Sequence, residues 1–316
     1  MPDNLREMTS HNNLHAVLFN ATSAEYIALC HQAYRLARLA VLEKHQAGLN
    51  QNMAVVLDLD ETVLDNSVFQ ASLIAEGKNF SDQYWNAWCD KGEASAVPGA
   101  IQFLKFIKSL GIVPIFITSR SELCRAGTLN NLIGIGALSK AEYELEFNLI
   151  TQENRAQTTK LFMKGTPGVI LDGNLAGINK FDQRIYCERV RGYEIILSIG
   201  DNLSDYAEYY GQVIDESGKK IAGKHPSVAS RKQAVLQDVG LFGEDFILIP
   251  NPTYGGWLRA FEGNKIGASD ELAPTAKQVR QGLVEPIDQI VYESNEGIPQ
   301  VITASAAKLS TIKHTF

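Results

Sequence analysis

The clearest periodicity in the chain begins at Thr22-Ser23-Ala24-Glu25, an S/T-x-x-E sequence of the kind that opens a helix. Tyr26, Leu29, Cys30, Ala33, Tyr34, Ala37, Ala40 and Val41 then follow i, i+3, i+4 spacing. That spacing predicts an amphipathic helix to about Gln46, with Gly48 as its stop. Residues 1–21 lack the pattern and read as an extended lead-in. Beyond the helix, Met53-Ala54-Val55-Val56-Leu57 is a short unbroken apolar run, the mark of a strand buried on both faces, and it ends directly in Asp58. The arrangement recurs: Ile112 to Ile117 ends in Thr118-Ser119-Arg120, Val169 to Leu171 in Asp172, and Glu194 to Ile199 in Gly200-Asp201.

Helical stretches separate these runs, such as Ala100 to Leu110, closed by Gly111. Strands alternating with helices predict an α/β fold with a doubly wound parallel sheet, whose ligands sit beyond the carboxyl ends of the strands. An aromatic segment at about 67–97 (Phe69, Phe80, Tyr84, Trp85, Trp88) falls between the first two strands and reads as a small inserted helical cap. The expected organisation is an N-terminal lead-in and helix over 1–52, packed on the core, and a core over 53–262 carrying the cap. Residues 263–316 form a more weakly patterned C-terminal extension.

Composition narrows the function. The 316 residues are 45% apolar and 21% charged, as in an ordinary globular chain, with a formal charge of −7. With no basic run, general attraction to a nucleic acid polymer or an anionic bilayer is not expected. No stretch reaches the roughly 18 uninterrupted apolar residues of a membrane span, and the polar start lacks a secretory signal. Cys30, Cys89, Cys124 and Cys187 form no metal-binding cluster and fit either two disulfides or buried free thiols.

The chemistry concentrates in Asp58-Leu59-Asp60-Glu61-Thr62. Two aspartates two apart at the end of a buried strand are costly unless they hold a cation or do chemistry. Gly200-Asp201-Asn202-Leu203-Ser204-Asp205 supplies more acid at another strand end. Carboxylates from two strand ends make an oxygen-rich site suited to Mg²⁺.

Asp58 to Asn66 (Asp-Leu-Asp-Glu-Thr-Val-Leu-Asp-Asn) resembles the first signature of the haloacid dehalogenase (HAD) superfamily, specifically its class C acid phosphatases, and Ile196 to Tyr206 is similar to the second. The likeness runs from about Leu14 to Trp257. Ala96-Val97-Pro98-Gly99-Ala100 and Asn251-Pro252-Thr253-Tyr254-Gly255-Gly256-Trp257 resemble the lipoprotein 5'-nucleotidase branch. The resemblance implies an HAD-like Rossmannoid core and a Mg²⁺-dependent phosphatase acting on a small phosphorylated substrate, with nucleoside 5'-monophosphates among the candidates. It implies Asp58 as nucleophile and Asp60 as general acid/base. The metal would be held by Asp58, the Asp60 backbone carbonyl and Asp201, with Asp205 organising its surroundings. Thr118, followed by Ser119 and Arg120, would bind the phosphoryl group.

The family's lysine maps best to Lys180, with Arg184 as companion, although the spacing is off by one residue and a serine is missing; Lys160 and Lys164 are the next candidates. Phe69 stands where the signature has Tyr, and Tyr206 where it has Phe. Phe69, Trp88 and Tyr254 are candidate substrate contacts, with Trp85 and Trp257 further aromatic surface. The resemblance also implies a secreted, periplasmic or outer-membrane location and leaves the oligomeric state open. A phosphotransferase of the same fold and a non-catalytic surface binding protein are the alternative readings.

Overall fold

A computed structural model describes residues 13–48, 52–177, 179–213, 221, 224–262, 290–295 and 298–303. Helices α1 (Leu14–Thr22) and α2 (Ala24–Gln46) precede the first strand, β1 (Met53–Leu57). The cap comes next: a two-residue ribbon of β2 (Leu64–Asp65) and β3 (Ser95–Ala96) clasps α3 (Ser67–Ala75) and α4 (Asp82–Lys91). Helix α5 (Ala100–Ser109) leads into β4 (Val113–Ser121), and α6 (Arg125–Gly134) and α7 (Lys140–Asn148) lead into β5 (Leu161–Lys164). A small hairpin, β6 (Ile170–Leu171) and β7 (Asn174–Leu175), separates β5 from α8 (Lys180–Arg189), which leads into β8 (Glu194–Gly200). Helix α9 (Val228–Gln237), β9 (Phe246–Leu248) and α10 (Gly256–Glu262) follow; β10 (Ile290–Asn295) and β11 (Ile298–Thr303) pair antiparallel.

The central sheet is wholly parallel, in the order β5-β4-β1-β8-β9. The strand at its middle is apolar on both faces because helices cover both. Val55 and Leu57 pack with Tyr34, Ala37 and Val41 of α2 and Phe103, Leu104 and Ile107 of α5. Ala54 and Val56 face the opposite layer, with Ile115, Ile117, Phe162 and, from α8, Tyr186 and Cys187. This is the doubly wound architecture the sequence pattern predicts.

The structure corrects several local expectations. Within the lead-in, Leu14–Thr22 is helical, while residues 1–12 lie outside the described residues. Thr22 therefore ends one helix, its hydroxyl donating to the Leu18 carbonyl at 2.7 Å, and Ser23 caps the next by accepting from the Tyr26 amide. The run Val169 to Leu171 contributes no strand to the main sheet. Asp172 and Gly173 both have positive φ (49° and 79°), the type I′ turn geometry that folds Ile170–Leu171 back on Asn174–Leu175. Its place beside β4 is taken by Leu161–Lys164, whose first three residues are fully buried. All four cysteines are free and buried, and burial pushes Cys30, Cys124 and Cys187 up to about 11, 11 and 12. They are unreactive thiols at neutral pH. Of the expected C-terminal extension, 263–289, 296–297 and 304–316 lie outside the described residues.

The cap is seated on the core through a glycine. A Cβ on Gly127 of α6 would meet the Asp90 Cα and the Cys89 carbonyl oxygen, both of α4, at 2.5 Å. Gly127→Ala is expected to cost about 1–3 kcal/mol by overpacking. The check is a lower urea midpoint with an unchanged slope.

Candidate active site

Asp58 follows β1, and Asp201 follows β8. The sheet reverses its winding between these two strands, where doubly wound folds open a crevice. Past Asp58 the chain wraps tightly around the Leu59 carbonyl, which accepts from the amides of Thr62, Val63 and Leu64 at 3.2, 2.8 and 2.8 Å. Glu61 takes φ 57°, a left-handed conformation rare outside glycine and asparagine, and is held there by its surroundings. Leu59, Val63 and Leu64 are fully buried, so apolar packing anchors the loop while Asp58 and Asp60 engage polar partners.

Two polar groups result. In the first, Lys180 at the start of α8 donates to Asp58 Oδ1 at 2.6 Å and Asp205 Oδ1 at 2.7 Å. Asp205 Oδ2 accepts from the Asn202 amide at 3.1 Å, closing a capping box around Leu203–Asp205. The side chain packs so closely on β8 that a Cβ on Gly200 would lie 2.5 Å from Asp205 Oδ2, which explains the glycine at the strand end. Asp201 is fixed by Asn251, whose Nδ2 donates to Asp201 Oδ2 at 2.7 Å. Asn251 is itself oriented by the amide and hydroxyl of Thr253. Arg184, one turn after Lys180, lines the same cleft.

In the second group, Asp60 Oδ1 accepts from Arg120 Nε at 2.9 Å, and Arg120 Nη2 lies 2.8 Å from the same oxygen. Asn66 Nδ2 adds a third donor at 3.1 Å. Asp60 Oδ2 instead accepts from the Thr118 hydroxyl at 3.4 Å. One oxygen of Asp60 is thus saturated by N–H donors, while the other faces Thr118, within the neighbouring strand β4.

Carboxylates of Asp58, Asp201 and Asp205 come within 4.8 Å of one another. Burial, reinforced by Asp205, Asp201 and Asp60 and opposed by Lys180, holds the Asp58 carboxyl well above the ordinary range. Burial and Asp205 push Asp201 up to about 7. Burial also works against the Lys180 charge, but Asp205 and Asp58 outweigh it and keep the ammonium above the ordinary lysine range. The cluster holds more negative charge than its lysine neutralises. Its all-oxygen donor set fits a hard divalent cation.

The sequence candidates thus fall into distinct places. Asp58, Lys180, Asp201 and Asp205 converge, and Asp60 joins them through the loop, with Thr118 against it. Ser119 is exposed. Arg120, expected at the phosphoryl group, has a fully buried side chain spent on Asp60, Asn66 and Thr128. Phe69 and Trp88 are buried in the cap, with rings stacked 6.0 Å apart. Tyr254 is half-buried in the loop after Asn251, its carbonyl accepting from the Trp257 indole. Lys164 is exposed on β5, and Asp172 lies in the exposed hairpin turn. Asn66, Asn251 and Gln183 were not singled out from the sequence, although the first two lie inside the quoted signatures.

The profile of the HAD superfamily, subfamily IIIB (Acid phosphatase), matches residues 7–257. The chain belongs to this family. Acid phosphatase 1 of Solanum lycopersicum is 28% identical over 81 residues, which is 26% of this chain and 32% of that protein. The match therefore spans about a third of the length of that curated relative. Among solved structures, the class C acid phosphatase from Bacillus anthracis with tungstate bound is 29% identical, with a TM-score of 0.66 over 92% of this chain and 100% of that one. A second structure of that class C acid phosphatase superposes with a TM-score of 0.65 over the same shares. Membership in the acid phosphatase family brings with it the reaction class, hydrolysis of a phosphomonoester, and the parallel α/β core described above.

In this acid phosphatase family member the position of Lys180 depends on how α8 begins. Asn179 caps the helix by accepting from the Asp182 amide, and Gln183 Nε2 donates to the carbonyls of Met163 at 2.7 Å and Gly177 at 2.8 Å. Gln183→Leu removes one donor from each carbonyl, while Met163 keeps the Thr166 amide and Gly177 the Gly165 amide. The expected loss is about 0.5–1.5 kcal/mol of stability, read by thermal or urea unfolding.

Proposed function

We propose that the protein is a Mg²⁺-dependent acid phosphatase that hydrolyses small phosphomonoesters through an aspartyl-phosphate on Asp58. One observation carries this reading: Asp58 and Asp60 share a tight loop, the first beside Lys180, the second with one oxygen saturated and the other turned to Thr118. In the first step an Asp58 oxygen bonds to phosphorus, the ester P–O bond breaks, and Asp60 gives its proton to the departing alkoxide. In the second, Asp60 takes a proton from water as the water oxygen bonds to phosphorus. The Asp58–phosphorus bond then breaks, releasing phosphate and restoring both carboxyls. The Lys180 ammonium and the Thr118 hydroxyl offset charge on the phosphoryl oxygens, with Ser119 at the rim.

Asp58 and Asp201, with the Asp60 backbone carbonyl, would hold the metal, and Asp205 would orient its surroundings. When bound, the cation supplies charge neutralisation that lets an anionic ester approach an anionic nucleophile. A nucleoside 5'-monophosphate as one substrate rests on the resemblance to the 5'-nucleotidase branch, with half-buried Tyr254 and exposed Trp257 as aromatic surface for a base. Transfer to an alcohol acceptor instead of water is the neighbouring reading, separable by product analysis with added alcohol. The family's exported location belongs to the proposal; among the described residues no helix is long and apolar enough to cross a membrane.

Asp58→Asn is expected to reduce phosphate release from an aryl phosphate and a nucleoside 5'-monophosphate to background while leaving the melting transition in place. Asp60→Asn is expected to lose about 10²–10⁴-fold and to trap phosphoenzyme. Near-normal turnover by the Asp58 variant would overturn the assignment. The metal has a separate test. With Asp201 at about 7 in the metal-free protein, cation binding near and below that pH displaces a proton, so affinity for Mg²⁺ should fall as pH drops through about 7. Titration calorimetry in buffers of different ionisation heat reads this proton release. A pH-independent affinity would contradict it.

A further inference from the structure

Trp88, on the second helix of the cap, bonds back to Asn66, the residue between β2 and α3. Its indole N–H donates to Asn66 Oδ1 at 2.8 Å, and Arg120 Nη2 donates to the same oxygen at 3.4 Å. With its oxygen occupied by these two donors, the Asn66 amide must present Nδ2 to Asp60 Oδ1, at 3.1 Å. Asn66 is fully buried and Trp88 is 8% exposed, so the contacts to Asn66 Oδ1 are shielded from solvent. Arg120 is held from two further sides, by the Thr128 hydroxyl of α6 at 3.3 Å and by the Trp85 ring, whose centroid lies 5.5 Å from its Cζ.

We propose that Trp88 is a positioning residue for Asp60, with Asn66 and Arg120 as its intermediaries. Together they load Asp60 Oδ1 with N–H donors and reserve Oδ2 for the transferred proton, so the seating of the cap on the core sets the efficiency of acid catalysis. The proposal rests on Asp60 being the proton donor of the reaction described above. It also reassigns the tryptophan: a ring buried against Phe69 presents no open face to a leaving group, whereas its N–H has one defined acceptor. The amide has two orientations of similar shape. In the wrong one its carbonyl oxygen would face the Asp60 carboxylate, and its NH₂ the Trp88 and Arg120 donors. Trp88 and Arg120 both select against that orientation, and only Trp88 does so from the cap.

Trp88→Phe keeps an aromatic ring and removes the N–H. Protonation of the leaving group matters most for a poor one, so the test compares a primary alkyl phosphate with para-nitrophenyl phosphate. The readout is kcat/KM, which reports the step that cleaves the ester. The variant should lose about tenfold on the alkyl ester and less than about twofold on the nitrophenyl ester. Equal losses on both esters, or no loss on either, overturn the proposal. If Trp88→Phe does not melt cooperatively, Arg120→Lys decides. It keeps the charge but not the fork, and the same split is expected, whereas an equal rise in KM for both esters places Arg120 on the phosphoryl group and overturns the proposal. Wild-type protein inert towards both esters overturns the phosphatase reading, and this proposal with it. Wild-type activity with an unchanged ratio in the variants overturns the proposal alone.

Discussion

Too much negative charge in too little water is the condition around which this molecule is organised. Asp58, Asp201 and Asp205 meet at the ends of two adjacent parallel strands, and Asp60 and the buried Glu61 lie on the same loop. Isolated carboxylates do not survive such burial without compensation. The fold supplies it from opposite sides, Lys180 from the start of a helix on one face and Arg120 from the end of a strand on the other. Each cation holds its acid in a fixed orientation, and what remains uncompensated is the negative charge that a divalent cation neutralises.

The two cations divide the labour. Lys180 touches Asp58 and Asp205 and stands in the cleft, within reach of any anion that enters it. Arg120 is sealed away and acts on one oxygen of one carboxylate. That contrast gives Asp58 and Asp60, two residues apart and chemically identical, different work. One is a buried carboxyl beside an ammonium that stands in the cleft, the other a carboxyl with one oxygen taken by N–H donors and the other facing only a hydroxyl.

Much of this was legible from residues alone. Apolar runs ending in polar or charged residues marked the strands and the end at which polar residues gather, and their alternation with helices gave the parallel sense. Lys180 was singled out through the resemblance despite its shifted spacing, and its ammonium lies against Asp58. What failed was decided by contacts distant in sequence or by local turn chemistry. Val169 to Leu171 has the composition of a strand, but Asp172-Gly173 folds it into a hairpin after two residues. Leu161 to Met163 is as short an apolar run as Val169 to Leu171, and only its pairing with β4 tells the two apart. Arg120 reads as a phosphate ligand from its neighbours in sequence, yet Asn66, Thr128 and Asp60 determine where it points.

The two-residue ribbon at the base of the cap has its own consequence. Because Leu64 pairs directly with Ala96, the inserted segment leaves and rejoins the core at one place. Its length therefore matters little to the sheet, since lengthening a loop whose ends already meet adds only a slowly growing entropic penalty. The cap is in that sense an interchangeable module: drift can remodel what it offers to a substrate without moving the strand that carries Asp58. The freedom stops where α4 sits on Gly127 and at the Asn66–Trp88 hydrogen bond, for a replacement insert without that pair changes the chemistry along with the selectivity.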